Sequence, residues 1–290
     1  MPLPVVRGEG ISPARALLDV NPALLAEFLT GFLREELVCQ RKAHKAVVGL
    51  SGGVDSAVTT FLAVRALGAE NVHVVRMPYK ISSQSSLDDA QAVIDQLGVP
   101  AQTIGITAMV DGYALADGVE MTPHRLGNVC ARARMTILYD QGARLGAIPL
   151  GTGNKTERMF GYFTWHGDDA PPINPLGDLY KSQVFELARY LGVPAAICEK
   201  APTADLIAGQ TDEGDFGITY ALADEILVLL MRRVPADRLE RMGYSRRDIE
   251  LVSAKVAGTH WKRKLSTVAM VSTTSINEYY LRPVDYRGGV

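Results

Sequence analysis

Residues 47–58, VVGLSGGVDSAV, constrain the fold of this chain more than any other segment. A short valine-rich run enters two adjacent glycines, and apolar residues then resume at helical spacing (Val54, Ala57, Val58, Phe61, Leu62). The stretch therefore reads as a buried strand, a tight loop and a helix. Gly52 and Gly53 lack a Cβ, so the backbone can adopt positive φ and bring its N–H groups close to a bound group. The following helix directs its positive end to the same place, which makes the loop an anion cradle. Ser51 and Ser56 add hydroxyl donors suited to phosphate oxygens, and no Lys-Ser or Lys-Thr pair completes a Walker A sequence. Asp55 sits inside this cradle, where it repels a phosphate. A divalent cation shared between carboxylate and phosphate relieves that repulsion, so the acid predicts magnesium. A plainer reading stays open at this point: Asp55 favours the dipole of the first helical turn and the glycines only make the turn.

The rest of the chain alternates in the way a parallel, doubly wound α/β sheet requires. Asn21 and Pro22 open an amphipathic helix carrying Leu25, Phe28, Leu29, Phe32 and Leu33. After the glycine loop come a helix stopped by Gly68, the strand NVHVVRMPY, the helix SLDDAQAVIDQLG and the strand AQTIGI. The helix NVCARARMTILYDQGARLG, the strand-to-loop AIPLGTG and the helix LYKSQVFELARYLGVP continue the pattern. Residues 80–86 and 201–217 are polar and rich in turn formers, as lids and binding loops are. An apolar helix, YALADEILVLLMRR, and a charged stretch follow, then a tail that the pattern leaves unassigned.

Of 290 residues, 21% are charged and the net charge is -2, so no basic excess exists to attract a nucleic-acid backbone. The opening residues lack the charged start and apolar run of a secretory signal, and no segment reaches about 18 uninterrupted apolar residues. The expectation is a cytoplasmic protein with neither membrane nor nucleic-acid partner. Cys39, Cys130 and Cys198 are odd in number and form no CxxC pair, which fits reduced thiols rather than a disulfide framework. His73 and His124 lack companions at ligand spacing and read as structural.

SGGVDS at 51–56 resembles the signature of N-type ATP pyrophosphatases, which cleave ATP between the α and β phosphates. RLGNVCARARM at 125–135, GTGNKTE at 151–157, GYFTWHGD at 161–168, GDLYK at 177–181, PTADL at 202–206 and GQTDE at 209–213 follow in order. Together they closely resemble the ammonia-dependent NAD synthetases over roughly residues 21–265. The resemblance implies one adenine nucleotide alpha-hydrolase-like domain over 21–265 with a C-terminal helical extension. It leaves 1–20 as an N-terminal extension and 266–290 as a tail.

The resemblance also implies roles. Nicotinic acid adenine dinucleotide (deamido-NAD) is adenylated by ATP, pyrophosphate leaves, and ammonia attacks the acyl adenylate to give NAD. Ser51, Gly52, Gly53 and Ser56 correspond to the pyrophosphate cradle, Asp55 and Glu157 to magnesium ligands, and Arg76, Thr152, Lys181 and Thr203 to ATP contacts. Asp55, Glu157 and Lys181 form the catalytic set. Arg132, Trp165, Asp168, His260 and Lys262 correspond to the acceptor site. Lys181 lies near a helix start, where a cation opposes the dipole; a neighbouring anion, an ATP phosphate by resemblance, or simple solvation explains it. Trp165 is either a stacking platform for a flat ring or a packed residue.

The chain departs from the family at Pro172, where many relatives carry aspartate, and at HWKR (260–263), where they carry HKR. Either Trp261 replaces the histidine and Lys262 supplies the cation, or the chain shifts by one and His260 supplies the ring. No space exists before residue 46 for a glutamine amidase, so free ammonia or a separate glutaminase is the expected donor, and the family pattern implies a homodimer. Three alternatives remain: an amidating paralogue acting on nicotinic acid mononucleotide, a tRNA-thiolating relative lacking its reactive cysteine and basic surface, and a non-catalytic ATP-binding module.

Overall fold

The computed structural model describes residues 13–203, 211–264, 268, 269 and 271. The first twelve residues, the centre of the 201–217 loop and most of the tail beyond 265 lie outside the described residues. In chain order the first half contains α1 (Pro13–Leu18), α2 (Pro22–Arg34), β1 (Ala46–Gly49), α3 (Val54–Leu67), β2 (Val72–Arg76), α4 (Gln84–Leu97), β3 (Ala101–Thr103), α5 (Thr107–Asp117) and α6 (Pro123–Leu145). The second half contains β4 (Ile148–Leu150), α7 (Lys155–Phe160), α8 (Lys181–Leu191), α9 (Ala195–Glu199), α10 (Asp212–Phe216), α11 (Tyr220–Met231), α12 (Ala236–Arg241) and α13 (Arg246–Gly258).

The sheet is parallel with order β3-β2-β1-β4. Ala46 of β1 registers with Val72 on one side and Ile148 on the other. Chain connections leave β1 toward β2 and later return to β4, so the strand order reverses there. A crevice opens at such a reversal, beyond the carboxyl ends of the strands. The loops after β1 and β4 are the ones that line it.

Alternation along β1 assigns its faces. Ala46 and Val48 join α2, α3, α4 and α8 in one core, and Val47 joins α5 and α6 in another. Leu62 of α3 and Leu187 of α8 are fully buried in the first core; truncating either to alanine costs about 2–5 kcal/mol. A third core unites α1 with α7 and α10 to α13 through Ala14, Leu18, Phe160, Phe216, Ile226 and Val252. The C-terminal helices are therefore packed on one another and on α1.

Several sequence expectations hold in detail. The Asn21 side chain accepts from the N–H groups of Ala23 and Leu24 at the start of α2, and Gly68, Gly98 and Gly192 end α3, α4 and α8. Others need correction. The 80–86 segment is not all loop, because Ser83 caps α4 by accepting from the Ser86 N–H and the helix begins at Gln84. By length and mean hydropathy Ala14–Gln40 could cross a membrane, although charged and polar residues such as Asn21, Glu27 and Arg34 interrupt its apolar run. In the fold the helix is interrupted around Asn21, and Leu25, Ala26, Leu29, Leu33 and Leu37 are buried in the first core.

Candidate active site

The loop after β1 is braced from within. Gly52 has φ +86°, and a Cβ there would lie 2.2 Å from the Ser86 carbonyl oxygen, so only glycine fits. Ser56 Oγ donates to the Gly53 carbonyl at 2.9 Å and accepts from the Ser51 N–H at 3.2 Å. Ser51 Oγ accepts from the Gly53 N–H at 3.2 Å and lies 3.1 Å from Ser56 Oγ. Ser56 is thus buried bracing, while Ser51 remains exposed at the mouth of the loop.

Asp55 occupies the first turn of α3. Its Oδ1 accepts from Asn154 Nδ2 at 3.0 Å, and its Oδ2 accepts from Lys181 Nζ in a short ion pair. Lys181 Nζ also donates to Glu157 Oε1 at 3.0 Å. The Lys181 side chain is only 2% exposed, which rules out the solvated reading. The anions that explain it are Asp55 and Glu157, and they supply the neighbour that the sequence assigned to a phosphate. Burial opposes the ammonium charge, but the two carboxylates outweigh it and hold Lys181 above its usual range.

Asn154 makes this junction local as well as long-range. Its Oδ1 accepts from the Glu157 N–H at 2.9 Å, Glu157 Oε2 accepts from the Asn154 N–H at 3.3 Å, and the pair forms a capping box that starts α7. Glu157 is pushed up to about 7 by burial, with Lys181 opposing and Asp55 reinforcing the shift. Tyr220 OH donates to Asp212 Oδ2 at 2.9 Å and lies 3.4 Å from Glu157 Oε1. Asp212 is 4% exposed, its Oδ1 is buried without a hydrogen-bond partner, and burial raises its carboxyl.

Three carboxylates thus surround one ammonium, leaving an excess of negative charge and of hard oxygen donors. That donor chemistry fits a divalent cation such as magnesium, which takes one or two carboxylates and completes its shell with phosphate oxygens and water. Among the described residues, no three His, Cys, Asp or Glu side chains are grouped to hold a metal unaided. Such an ion therefore needs oxygens brought by a ligand.

The sequence also assigned Arg76, Thr152 and Thr203 to ATP. Arg76 ends β2, and its Nη1 donates to Gln91 Oε1 at 2.6 Å, while its buried Nε has no hydrogen-bond partner. Thr152 lies between β4 and α7, and Thr203 stands immediately before residues 204–210.

Of the residues the sequence assigned to the acceptor, Arg132, Trp165, Asp168 and Lys262 meet at the loop over residues 161–170. Arg132 Nη2 donates to the Trp165 carbonyl at 3.2 Å, and Lys262 Nζ donates to the carbonyls of Gly161 at 2.8 Å and Phe163 at 2.7 Å. Both cations therefore brace the loop's backbone. Asp168 Oδ1 accepts from the Thr164 N–H at 2.7 Å. Asp168 is exposed as a residue, yet the chain around its carboxyl pushes it up to about 6. Trp165 and Trp261 meet edge to face, with centroids 5.3 Å apart at 86°. Trp165 also packs against the His166 ring, with centroids 4.2 Å apart, and is half-buried. Trp261 and Lys262 face this loop, and His260 is exposed. A cleft lined by Gly153, Glu157, Phe163, Asp168 and Asn174 links the acidic cluster to Asp168.

Sequence reasoning missed Asn154, Asp212, Tyr220 and Asp224. An Asn-x-x-Glu spacing announces the first. Asp212 stands within the GQTDE stretch, whereas Tyr220 and Asp224 come from distant segments and carry no local signal.

Comparison with known proteins shows the family. The sequence profile of the NAD synthase family matches residues 25–266. The NH(3)-dependent NAD(+) synthetase of Trichlorobacter lovleyi is 44% identical over 263 residues, covering 90% of this chain and 95% of that one. Among solved structures, the NMN synthetase of Francisella tularensis superposes with a TM-score of 0.76 at 34% identity, covering 87% of this chain and 99% of that chain. The NH3-dependent NAD synthetase of Campylobacter jejuni, solved with a nitrate ion, gives 0.74 at 30% identity, covering 87% and 100%. With residues 25–266 matched by the family profile and 90% of its length aligned to a relative 44% identical, the chain belongs to the NAD synthase family of ligases that form C–N bonds.

Proposed function

We propose that this enzyme converts deamido-NAD to NAD with ammonia and ATP, through an acyl adenylate, releasing pyrophosphate and AMP. The observation that carries this reading is the Lys181 ammonium locked between Asp55 and Glu157 at the strand reversal, beside a cleft that leads to Asp168. A carboxylate oxygen of the acceptor attacks the α-phosphorus and the bond to the β-phosphate breaks. Ammonia then attacks the acyl carbon, AMP leaves, and the nitrogen loses a proton.

Each group has a task in this scheme. Gly52, Gly53 and the exposed Ser51 present donors to the departing pyrophosphate, and Ser56 keeps the loop in shape. Arg76, Thr152 and Thr203 contact ATP. Magnesium, held by Asp55 and Glu157, would offset charge on the phosphates as pyrophosphate departs. Lys181 leans toward phosphate oxygens when they enter, which leaves both carboxylates available. Arg132, Trp165 and Lys262 shape the acceptor loop, with His260 at its rim, and Asp168 takes the proton that the attacking ammonia sheds. We assign the enzyme to the cytoplasm as a homodimer supplied with free ammonia or by a separate glutaminase.

Incubation with ATP, magnesium, ammonia and either deamido-NAD or nicotinic acid mononucleotide tests the reading. NAD and pyrophosphate should form rapidly from the dinucleotide. A preference for the mononucleotide is the second reading, motivated by the likeness to an NMN synthetase and by Pro172 and Trp261 at the acceptor end. ATP binding without pyrophosphate release from either acceptor would make the chain a binding module.

A further inference from the structure

Asp224, on α11, is fully buried and lies beneath the acidic cluster. Its Oδ1 accepts from Thr156 Oγ1 at 2.6 Å, and its Oδ2 accepts from Ser182 Oγ at 2.8 Å and from the Ser182 N–H at 2.9 Å. Thr156 Oγ1 in turn accepts from the Lys181 N–H at 3.0 Å. Thr156 directly precedes Glu157 in the first turn of α7, and Ser182 directly follows Lys181 in the first turn of α8. One carboxylate thus joins the starts of two helices at the residues adjoining Glu157 and Lys181. Helix starts carry unsatisfied N–H groups and partial positive charge, so a buried anion placed across two of them is stabilised and also fixes their separation.

We propose that Asp224 is a positioning residue. It sets the distance between Glu157 and Lys181 and so holds the ammonium between Glu157 and Asp55. The carboxylate itself touches none of the reacting atoms. This inference rests on the reading that these three side chains serve the nucleotide. Asn at this position keeps the volume but turns one acceptor into an NH2 group, which faces either the Thr156 hydroxyl or Ser182. One anchor is then lost and the register of α7 against α8 loosens.

Two measurements on the full-length protein decide the matter. The first needs no turnover: amine-selective labelling of Lys181, read by mass spectrometry against exposed Lys42. Asp224→Asn and Thr156→Val should each speed Lys181 labelling relative to wild type, and Thr156→Ser, which keeps the hydroxyl, should restore protection. The second is steady-state kinetics well below the melting temperature of each variant. Asp224→Asn should lower kcat about 10- to 100-fold, the range found when partners that orient site residues are removed, with KM for the acceptor little changed. Thr156→Val carries the same expectations if Asp224→Asn fails to fold. Lys181 labelling at the wild-type rate in folded variants overturns the proposal. So does unchanged kcat in a variant whose melting temperature falls, which would make Asp224 a packing residue. If wild type itself releases no pyrophosphate, the functional reading fails, and the labelling result still decides whether Asp224 holds Lys181 in place.

Discussion

The two ends of the crevice are built differently. At the nucleotide end, Asp55, Asn154, Glu157 and Lys181 bond to one another, and Lys181 is almost wholly buried. At the acceptor end, Arg132 and Lys262 bond to backbone carbonyls, and Trp261 is 56% exposed. Charge set against charge in a confined space fixes side chains tightly. Cations that brace a loop fix the loop and leave its outer surface free to vary.

The largest effect should come from breaking the buried end. Lys181→Met leaves two carboxylates without their shared cation, and loss of one electrostatic contact to the transferring phosphates should lower kcat about 10²–10³-fold. Unfolding experiments should show a loss of about 3–5 kcal/mol, as when one partner of a buried ion pair is removed. A Lys181→Met enzyme with near-normal kcat would equate the two ends.

At the acceptor end, Lys262→Met removes two charge-assisted bonds from the loop. From the roughly 1.5–3 kcal/mol typical of hydrogen bonds to a charged group, acceptor KM should rise about tenfold or more. The KM for ATP should hardly move. An equal rise in both constants would mean that the ends are coupled through the cleft and do not act separately.

A pH profile sharpens the contrast further. Glu157 is raised from 4.5 to about 7, so the folded state favours its protonated form. Stability from this group is present below about pH 4.5 and declines as pH rises toward 7, where the ionised form needed for a metal takes over. Activity should therefore climb through an acidic limb near neutrality. Magnesium competes with the proton for the same oxygens, so raising its concentration should move that limb to lower pH, and Glu157→Gln should abolish the shift. The smallest effect belongs to Trp261→Ala: an edge-to-face pair contributes about 0.5–1.5 kcal/mol. Acceptor KM should accordingly change about two- to tenfold while kcat with saturating acceptor holds.

What the sequence revealed follows the range of the forces involved. The glycine loop with its acid is local, as is the Asn154-to-Glu157 spacing, and both can be read from a few adjacent letters. Lys181 was recognisable as a cation at a helix start, yet its partner Asp55 lies 126 residues away, and no periodicity connects them. Asp212, Tyr220 and Asp224 are assembled by the third core, which forms only when α1, α7 and α11 meet. The helices α12 and α13 escaped notice within the charged stretch because their buried positions, Leu239, Ile249 and Val252, are few among charged neighbours. Strand β3 is shorter than AQTIGI because it is an edge strand whose three residues are all exposed.

The central claim is that the acid in the glycine loop holds a metal against nucleotide phosphates. Manganese, which shares magnesium's preference for oxygen donors, reports on this directly through its spin resonance. Titrated in the presence of ATP, the wild-type protein should bind the ion well above the affinity of ATP alone, and Asp55→Asn should weaken that binding about tenfold or more. Equal manganese affinity in the two proteins would contradict the account.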